Sequence, residues 1–285
     1  MISAVLEPFH YEYMRNAILA ATGIGALCGV LSCFLMLKGW SLIGDALSHS
    51  VVPGVVGAYM FGLPLALGAF LSGALAAGIM RYLEEETSLK SDVIIGVVFT
   101  TFFGAGLFVL SIYPLPISVQ TITMGNILAI PPADLYQMTG MVALCLLVIG
   151  VMWRSFMLVF FDSVQAHVLG WSVWMYSTAF FGILAVAVVS AMQTVGALLV
   201  VAMVIVPGAT MYICIDRFER LMVGAGAMGA LTAGIGAYLS FHLNGATGGV
   251  IILLQVGIFS IVFIANLLGW FRSETSQVLH VVSDD

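Results

Sequence analysis

Charged residues are scarce in this chain of 285 residues, since Asp, Glu, Lys and Arg together account for only 8% of it. Soluble domains carry about 25% charged residues, and no soluble core of this size uses an apolar fraction of 62%. The mean hydropathy of +1.15 therefore excludes a soluble enzyme or binding module. It predicts an all-α membrane protein that crosses the bilayer several times.

Sequence motifs of enzymes and nucleotide-binding proteins are also missing. The chain contains neither the GxSxG of a serine hydrolase nor the GxxxxGK[ST] of a phosphate-binding loop. An intramembrane aspartyl protease needs two carboxylates, whereas only one lies inside a predicted span. We therefore expect a protein that is not itself an enzyme, with no permanently bound cofactor and no nucleic-acid partner. If ATP drives it, another chain binds the ATP.

Nine stretches are apolar enough to cross a bilayer, which takes about 20 residues. They cover residues 17–37, 42–61, 63–83, 93–113, 135–153, 171–192, 195–213, 221–241 and 248–268. The chain then consists of an N-terminal interfacial segment (1–16), a transmembrane domain (17–271) and a C-terminal tail (272–285). Small residues at four-residue spacing within 224–238 predict close packing between helices of the same chain.

The positions of Lys and Arg predict the orientation of these spans. With nine crossings and the N-terminus outside, seven of the eight basic residues lie on the inner side and only Arg15 lies outside. The seven are Lys38, Arg81, Lys90, Arg154, Arg217, Arg220 and Arg272. If the segment 42–61 turned back instead of crossing, this agreement would be lost. The C-terminal tail is then cytoplasmic.

One acid and one histidine lie inside a predicted span, and they are neighbours. Of the fourteen acidic residues only Asp45 is within a span, and of the five histidines only His49 is. Residues four apart in a helix are about 40° apart around its axis and about 6 Å along it, so both side chains share a face. A carboxylate and an imidazole on one face form half of a divalent-metal site. Ser41 and Ser48 lie close enough in sequence to support such ligands.

The number of ligands in one chain is too small for a complete metal site. Two copies around a twofold axis would supply two Asp and two His, which suits Zn²⁺, or Mn²⁺ and Fe²⁺ if further oxygen ligands join. The absence of a nearby thiolate favours Mn²⁺ or Fe²⁺ without deciding between the three metals. The alternative is a buried Asp–His pair that only holds helices together, as in a membrane scaffold that transports nothing.

A polar interruption marks the inner segment 154–170, "RSFMLVFFDSVQAHVLG". Asp162, Gln165 and His167 break an otherwise apolar run, which is typical of an amphipathic surface helix. Such a helix could simply close the loop between two spans, or it could dock a cytoplasmic partner, and the pattern alone allows both.

Five stretches carry a resemblance to a known family. They are "LKGWSLIGDALSHSVVPGV" (37–55), "KSDVIIGVVFTTFFGAGL" (90–107), "MGNILAI" (124–130), "FDSVQAHVLG" (161–170) and "MQTVGALLVVAMVIVPGAT" (192–210). In this order they resemble the membrane permeases of the manganese/zinc/iron ABC importer family. Within it, the chain is most similar to the manganese/iron permeases of bacterial operons that encode two such subunits.

The resemblance implies an assembly in the bacterial cytoplasmic membrane. Two permease chains, identical or related, form the path, two ATPase subunits bind ATP on the inner face, and an extracellular or periplasmic protein delivers Mn, Fe or Zn. Asp45 and His49 match the positions of the pathway metal site, and Asn126 and Gln193 match polar positions near the outer gate. The coupling segment to the ATPase matches Phe161, Asp162, Gln165 and Gly170. A secondary carrier that uses Asp45 and His49 as a proton relay, without an ATPase, is the alternative.

Overall fold

The computed structural model describes residues 7–40, 42–113 and 132–268, and the regular structure in these ranges is helical throughout. Ser41, Asn126 and the predicted tail 272–285 lie outside the described residues. The principal helices are α1 (Glu12–Lys38), α2 (Ile43–Ser50), α3 (Val52–Met60), α4 (Leu65–Glu86), α5 (Ser91–Ile112), α6 (Pro132–Phe161), α7 (Ser163–Val168), α8 (Val173–Val195), α9 (Ala197–Cys214), α10 (Phe218–Leu243) and α11 (Thr247–Leu267).

Seven of the described helices, namely α1, α5, α6, α8, α9, α10 and α11, are long and apolar enough to cross a membrane. Each coincides with a predicted span, which confirms the all-α, multi-pass class. An eighth helix, α4, covers the span predicted at 63–83 and is 22 residues long, with its charges in the last two turns. The first span begins earlier than predicted, because α1 already starts at Glu12 inside the segment assigned to the interface.

The segment 42–61, predicted as a span that contains Pro53, is helical but interrupted. It consists of α2 and α3, which are separated at Val51. Pro53 explains the break, because it has no N–H to donate to the carbonyl of His49 one turn earlier. The carbonyl of Ser50 beside the break accepts a hydrogen bond from the Ser72 hydroxyl of α4, at 2.6 Å.

Despite the break, α2 and α3 follow one path in one direction. Near the start of α2, Ile43 and Ile94 of α5 line the same small cavity. Further along, Pro53 lies against Gly106 of α5. The chain therefore advances along α5 from residue 43 to residue 53 without turning back, as a segment that crosses the bundle would.

Glycines set the closest approaches between helices. Gly25 of α1 lies against Gly229 of α10, and a Cβ on either residue would overlap the carbonyl oxygen of the other. The same holds between Gly54 of α3 and Gly68 of α4. Glycine is the residue that permits such backbone contact inside a membrane bundle. The prediction that 224–238 packs within the chain is confirmed.

An aromatic core joins α1, α6 and α8 near the C-terminal ends of α1 and α6 and the N-terminal end of α8. The fully buried ring of Phe34 in α1 has its centroid 6.1 Å from that of Phe156 in α6 and 5.6 Å from that of Phe180 in α8. Trp40, in the turn between α1 and α2, extends this core to Phe181 at 4.9 Å. The core thus anchors the helix ends from which α2 and α7 depart.

The glycine contacts predict opposite effects for two alanine substitutions in α3. We expect Gly54→Ala to lower the melting temperature of the purified protein, because the new methyl group would meet the backbone of Gly68. At Gly57, one turn later, no atom of another described residue lies within 4 Å of the place that a Cβ would occupy. Gly57→Ala should therefore raise stability by up to about 1 kcal/mol through helix propensity. Equal melting temperatures for the two variants would contradict the close α3–α4 contact.

Candidate metal site

The candidate site lies halfway along the bundle. His49 contacts Phe99 and Phe103 of α5, a helix of 22 residues. Such a helix is about 33 Å long, close to the thickness of the hydrocarbon core of a bilayer. Both phenylalanines are in its middle turns, so the ionisable pair on α2 lies near the centre of a helix that spans the membrane.

The side chains of Asp45 and His49 meet on one face of α2, as their spacing predicts. Asp45 Oδ1 and His49 Nε2 are 3.4 Å apart. This distance exceeds the 2.7–2.9 Å or so of a charge-assisted hydrogen bond. The Asp45 side chain is 42% exposed and that of His49 is 22% exposed. One oxygen and one nitrogen donor are therefore close together, and the carboxylate remains open to an additional group.

Two aromatic rings that the sequence does not mark as part of the site surround His49. The ring of Phe99 is 5.6 Å and that of Phe103 5.2 Å from the imidazole, centroid to centroid. The Nδ1 atom of His49 is buried, and among the described residues it has no hydrogen-bond partner. Phe99, Phe103 and Gly106 recur at helical spacing on α5. This helical spacing is the only feature of the sequence that points to the two phenylalanines beside His49. In an apolar span it cannot be told from ordinary helix packing.

The other residues predicted for the site are placed as follows. Ser48 is buried, and its hydroxyl donates to the carbonyl of Gly44 at 2.8 Å, within its own helix. Its supporting role toward Asp45 and His49 stays a prediction. Gln193 belongs to α8, but its side chain is not among the described ones. Ser41 and Asn126 lie outside the described residues, so the positions expected near the site and the outer gate remain predictions.

Among the described residues, the side chains of one chain do not form a complete metal site. Within residues 7–40, 42–113 and 132–268, no three side chains of His, Cys, Asp or Glu come together. Asp45 and His49 therefore contribute one carboxylate and one imidazole. A transition-metal ion takes four or more ligands, so a second copy of this chain or a related chain would have to supply the remainder.

Of the predicted coupling residues, Gln165 lies in the short exposed helix α7, and Phe161, Asp162 and Gly170 flank it. Asp162 precedes α7, and its Oδ1 accepts a hydrogen bond of 2.8 Å from the backbone N–H of Gln165. This cap fixes the start of the helix, and Gly170, at φ 77°, follows its end. Ala166 is fully buried, whereas Phe161 is 80% exposed.

Comparisons with known proteins agree along nearly the whole chain. The family model described as "ABC 3 transport family" matches residues 10–266. The chain is 49% identical over 259 residues to the chelated iron transport system membrane protein YfeC of Yersinia pestis, covering 91% of this chain and 88% of that protein. It is 37% identical over 260 residues to the manganese transport system membrane protein MntB of Synechocystis, with coverage of 91% and 85%.

A solved structure has the same architecture. PsaBC from Streptococcus pneumoniae, determined in complex with Fab, superposes with a TM-score of 0.82 at 32% sequence identity. The match covers 92% of this chain and 95% of the solved chain.

Proposed function

The chain belongs to the ABC 3 transport family, and from that premise we propose that it is the permease subunit of an ATP-driven importer of divalent transition-metal ions. The observation that supports this choice of cargo is the Asp45–His49 pair, whose donor atoms are 3.4 Å apart and lie beside the middle of the span-length helix α5. Relatives named for iron and manganese transport support it. We place the protein in the bacterial cytoplasmic membrane.

In the proposed mechanism, two permease chains bring their Asp45 and His49 side chains around one path. The four groups replace water molecules that the ion loses on leaving its hydration shell. The 3.4 Å separation and the partly exposed carboxylate suit a site that holds an ion briefly. A conducting site must bind strongly enough to admit the ion and weakly enough to release it.

The choice of metal follows from the donor atoms and the relatives. One imidazole nitrogen and one carboxylate per chain, without a thiolate, suit Mn²⁺ and Fe²⁺ and also accept Zn²⁺. Relatives named for chelated iron and for manganese favour the first two. We therefore propose Mn²⁺ or Fe²⁺ as the cargo and Zn²⁺ as a competitor, delivered from outside by a separate metal-binding protein.

The ligand assignment predicts that Asp45→Leu, His49→Leu and the double variant insert normally but lose metal uptake. The expected loss is about tenfold or more, since even changes in groups that only support metal ligands cost 10–100-fold. The measurement is ⁵⁴Mn²⁺ uptake by cells that express the complete transport system, with Fe²⁺ and Zn²⁺ as competitors. Asp92→Leu is the matched control, because this exposed carboxylate lies at the start of α5.

A purely structural pair gives the opposite pattern. Each single replacement would then leave a partner without its counter-group and reduce the amount of folded protein. The double leucine variant would recover both folding and uptake. Wild-type uptake by the double variant would overturn the ligand assignment.

We further propose that α7 docks a separate ATPase subunit on the inner face. The preceding helix α6 has 30 residues, so it is about 45 Å long and extends beyond a hydrocarbon core of about 30 Å. At its end, Phe161, Val164 and Val168 are 80%, 74% and 80% exposed. Apolar side chains that extend past the bilayer support a protein partner, and the Asp162 cap would keep them in one arrangement.

The docking proposal predicts that Val164→Asp uncouples the permease. A charge in the apolar contact should abolish co-purification of the ATPase subunit and most of the uptake, while the permease still binds metal. Val164→Leu is the control, since it keeps an apolar side chain at the same place. Unchanged co-purification and uptake in Val164→Asp would leave α7 as a connection between spans and would favour a carrier without an ATPase.

The proposed orientation predicts which loops an impermeant thiol reagent can label from each side of the membrane. Ser163→Cys in α7 should resist an impermeant thiol reagent in intact cells and react in inverted vesicles. Ala246→Cys, between α10 and α11, should behave the opposite way. Both positions are exposed, whereas the native Cys28, Cys33 and Cys145 are buried; Cys214, which is only half-buried, is replaced by alanine in both variants. Labelling of Ser163→Cys from outside would show that the orientation is the reverse of the predicted one. It would also exclude the docking of an ATPase subunit on α7.

A further inference from the structure

We infer that Phe99 and Phe103 are positioning residues for His49, so that Nε2 is the nitrogen offered to the metal ion while Nδ1 keeps its proton. This inference rests on the proposed function, because it requires His49 to be a metal ligand. It assigns a role to two apolar residues that carry no ligand atom.

The three rings form a compact group. The planes of Phe99 and Phe103 are nearly parallel, at 10°, with centroids 5.8 Å apart. The imidazole of His49 meets Phe99 at 65° and Phe103 at 70°. Since these phenylalanines are four residues apart on α5, they share a face one turn apart. Together they restrict the imidazole to the orientation in which Nε2 lies 3.4 Å from Asp45 Oδ1.

The surroundings of the buried Nδ1 atom indicate which imidazole nitrogen of His49 binds the metal ion. A metal-bound histidine usually donates its other N–H to an oxygen acceptor, but Nδ1 of His49 has no such partner among the described residues. The faces of phenyl rings are electron-rich and accept an N–H weakly, whereas they offer nothing to a nitrogen lone pair. Aromatic surroundings therefore favour a proton on Nδ1, which leaves the Nε2 lone pair for the ion.

The contact between α5 and the break that separates α2 from α3 keeps the rings of Phe99 and Phe103 level with His49. Gly106 follows Phe103 by three residues and lies against Val52 and Pro53, where a Cβ would approach Val52 Cγ1 to 2.8 Å. A larger residue would push α5 away from α2 and α3. The break at Pro53 and the glycine opposite it thus bring the phenyl pair beside His49.

The test compares leucine, which keeps apolar volume, with tyrosine, which keeps the ring. The probe is Zn²⁺, whose dissociation constant is measured on the purified permease in detergent. For Phe99→Leu/Phe103→Leu we expect affinity to fall about tenfold or more, in the range found when a ligand's supporting group is lost. Phe99→Tyr/Phe103→Tyr should stay close to the wild type. Phe108→Leu is the control, because that ring is 66% exposed on the same helix.

A second measurement reports on the imidazole itself. Ring-¹⁵N histidine NMR of the Zn²⁺-loaded protein, with His49→Gln to identify the signal, should show metal on Nε2 and a proton on Nδ1. In the Phe99→Leu/Phe103→Leu variant, this signal should disappear or split into the signals of two His49 tautomers. If that double variant does not fold, the single variants Phe99→Leu and Phe103→Leu replace it.

The outcomes separate this inference from the function on which it rests. Zinc on Nδ1 in the wild type, or a leucine pair with unchanged affinity and spectrum, overturns the positioning role. If His49→Gln itself leaves Zn²⁺ affinity unchanged, the ligand assignment under the proposed function fails instead.

Discussion

A carboxylate halfway through an apolar bundle is the feature on which the arrangement of the other elements depends. On insertion scales such a group costs about 2.5–3.5 kcal/mol at the centre of a membrane helix. The fold limits this cost by leaving the Asp45 side chain 42% exposed, and under the proposed function a metal ion shared with His49 Nε2, 3.4 Å from Asp45 Oδ1, would reduce it further. The hydroxyls of Ser48 and Ser50 on the same helix are buried and donate to backbone carbonyls of α2, so they leave no unpaired donor beside the pair.

The interrupted path of α2 and α3 follows from the same site. Pro53 ends the regular hydrogen bonding one turn after His49, and Ser72 donates to the carbonyl of Ser50 beside the break. Glycines on both neighbouring helices, Gly68 and Gly106, then allow α4 and α5 to come within backbone distance of α3. An element made of two short helices is thus enclosed by close packing, and its two ionisable side chains keep one orientation.

The aromatic core connects the helix end next to α2, which carries this site, with the helix end next to α7. Phe34 belongs to the helix that precedes α2, and Phe156 belongs to the helix that precedes α7. Their rings pack at 6.1 Å in an edge-to-face arrangement, which stabilises aromatic pairs beyond the area they bury. Because interiors of this density do not deform continuously, a displacement of α7 by a bound ATPase would move α6 and this core as one body.

Local properties of the chain could be predicted from its sequence. Hydropathy places the spans, because membrane insertion depends on the composition of about 20 consecutive residues. The four-residue spacing of Asp45 and His49 places them on one face, because helical periodicity is a property of neighbouring residues. The interaction of Asp162 with Gln165 is equally local. Within the predicted span 42–61, hydropathy alone does not show the break that Pro53 makes between α2 and α3.

Contacts between distant parts of the chain were decided by the tertiary structure alone. Nothing in the sequence indicates that Phe99 and Phe103, about fifty residues after His49, are the rings beside its imidazole. That contact depends on the register between α2 and α5, which the meeting of Gly106 with Pro53 determines. Register is set by the shapes of two packed surfaces, and a linear pattern of apolar residues does not encode it. The sequence by itself thus determined the membrane class, the spans and the pairing of Asp45 with His49 on one helix face, and the packing of the helices decided what surrounds that pair.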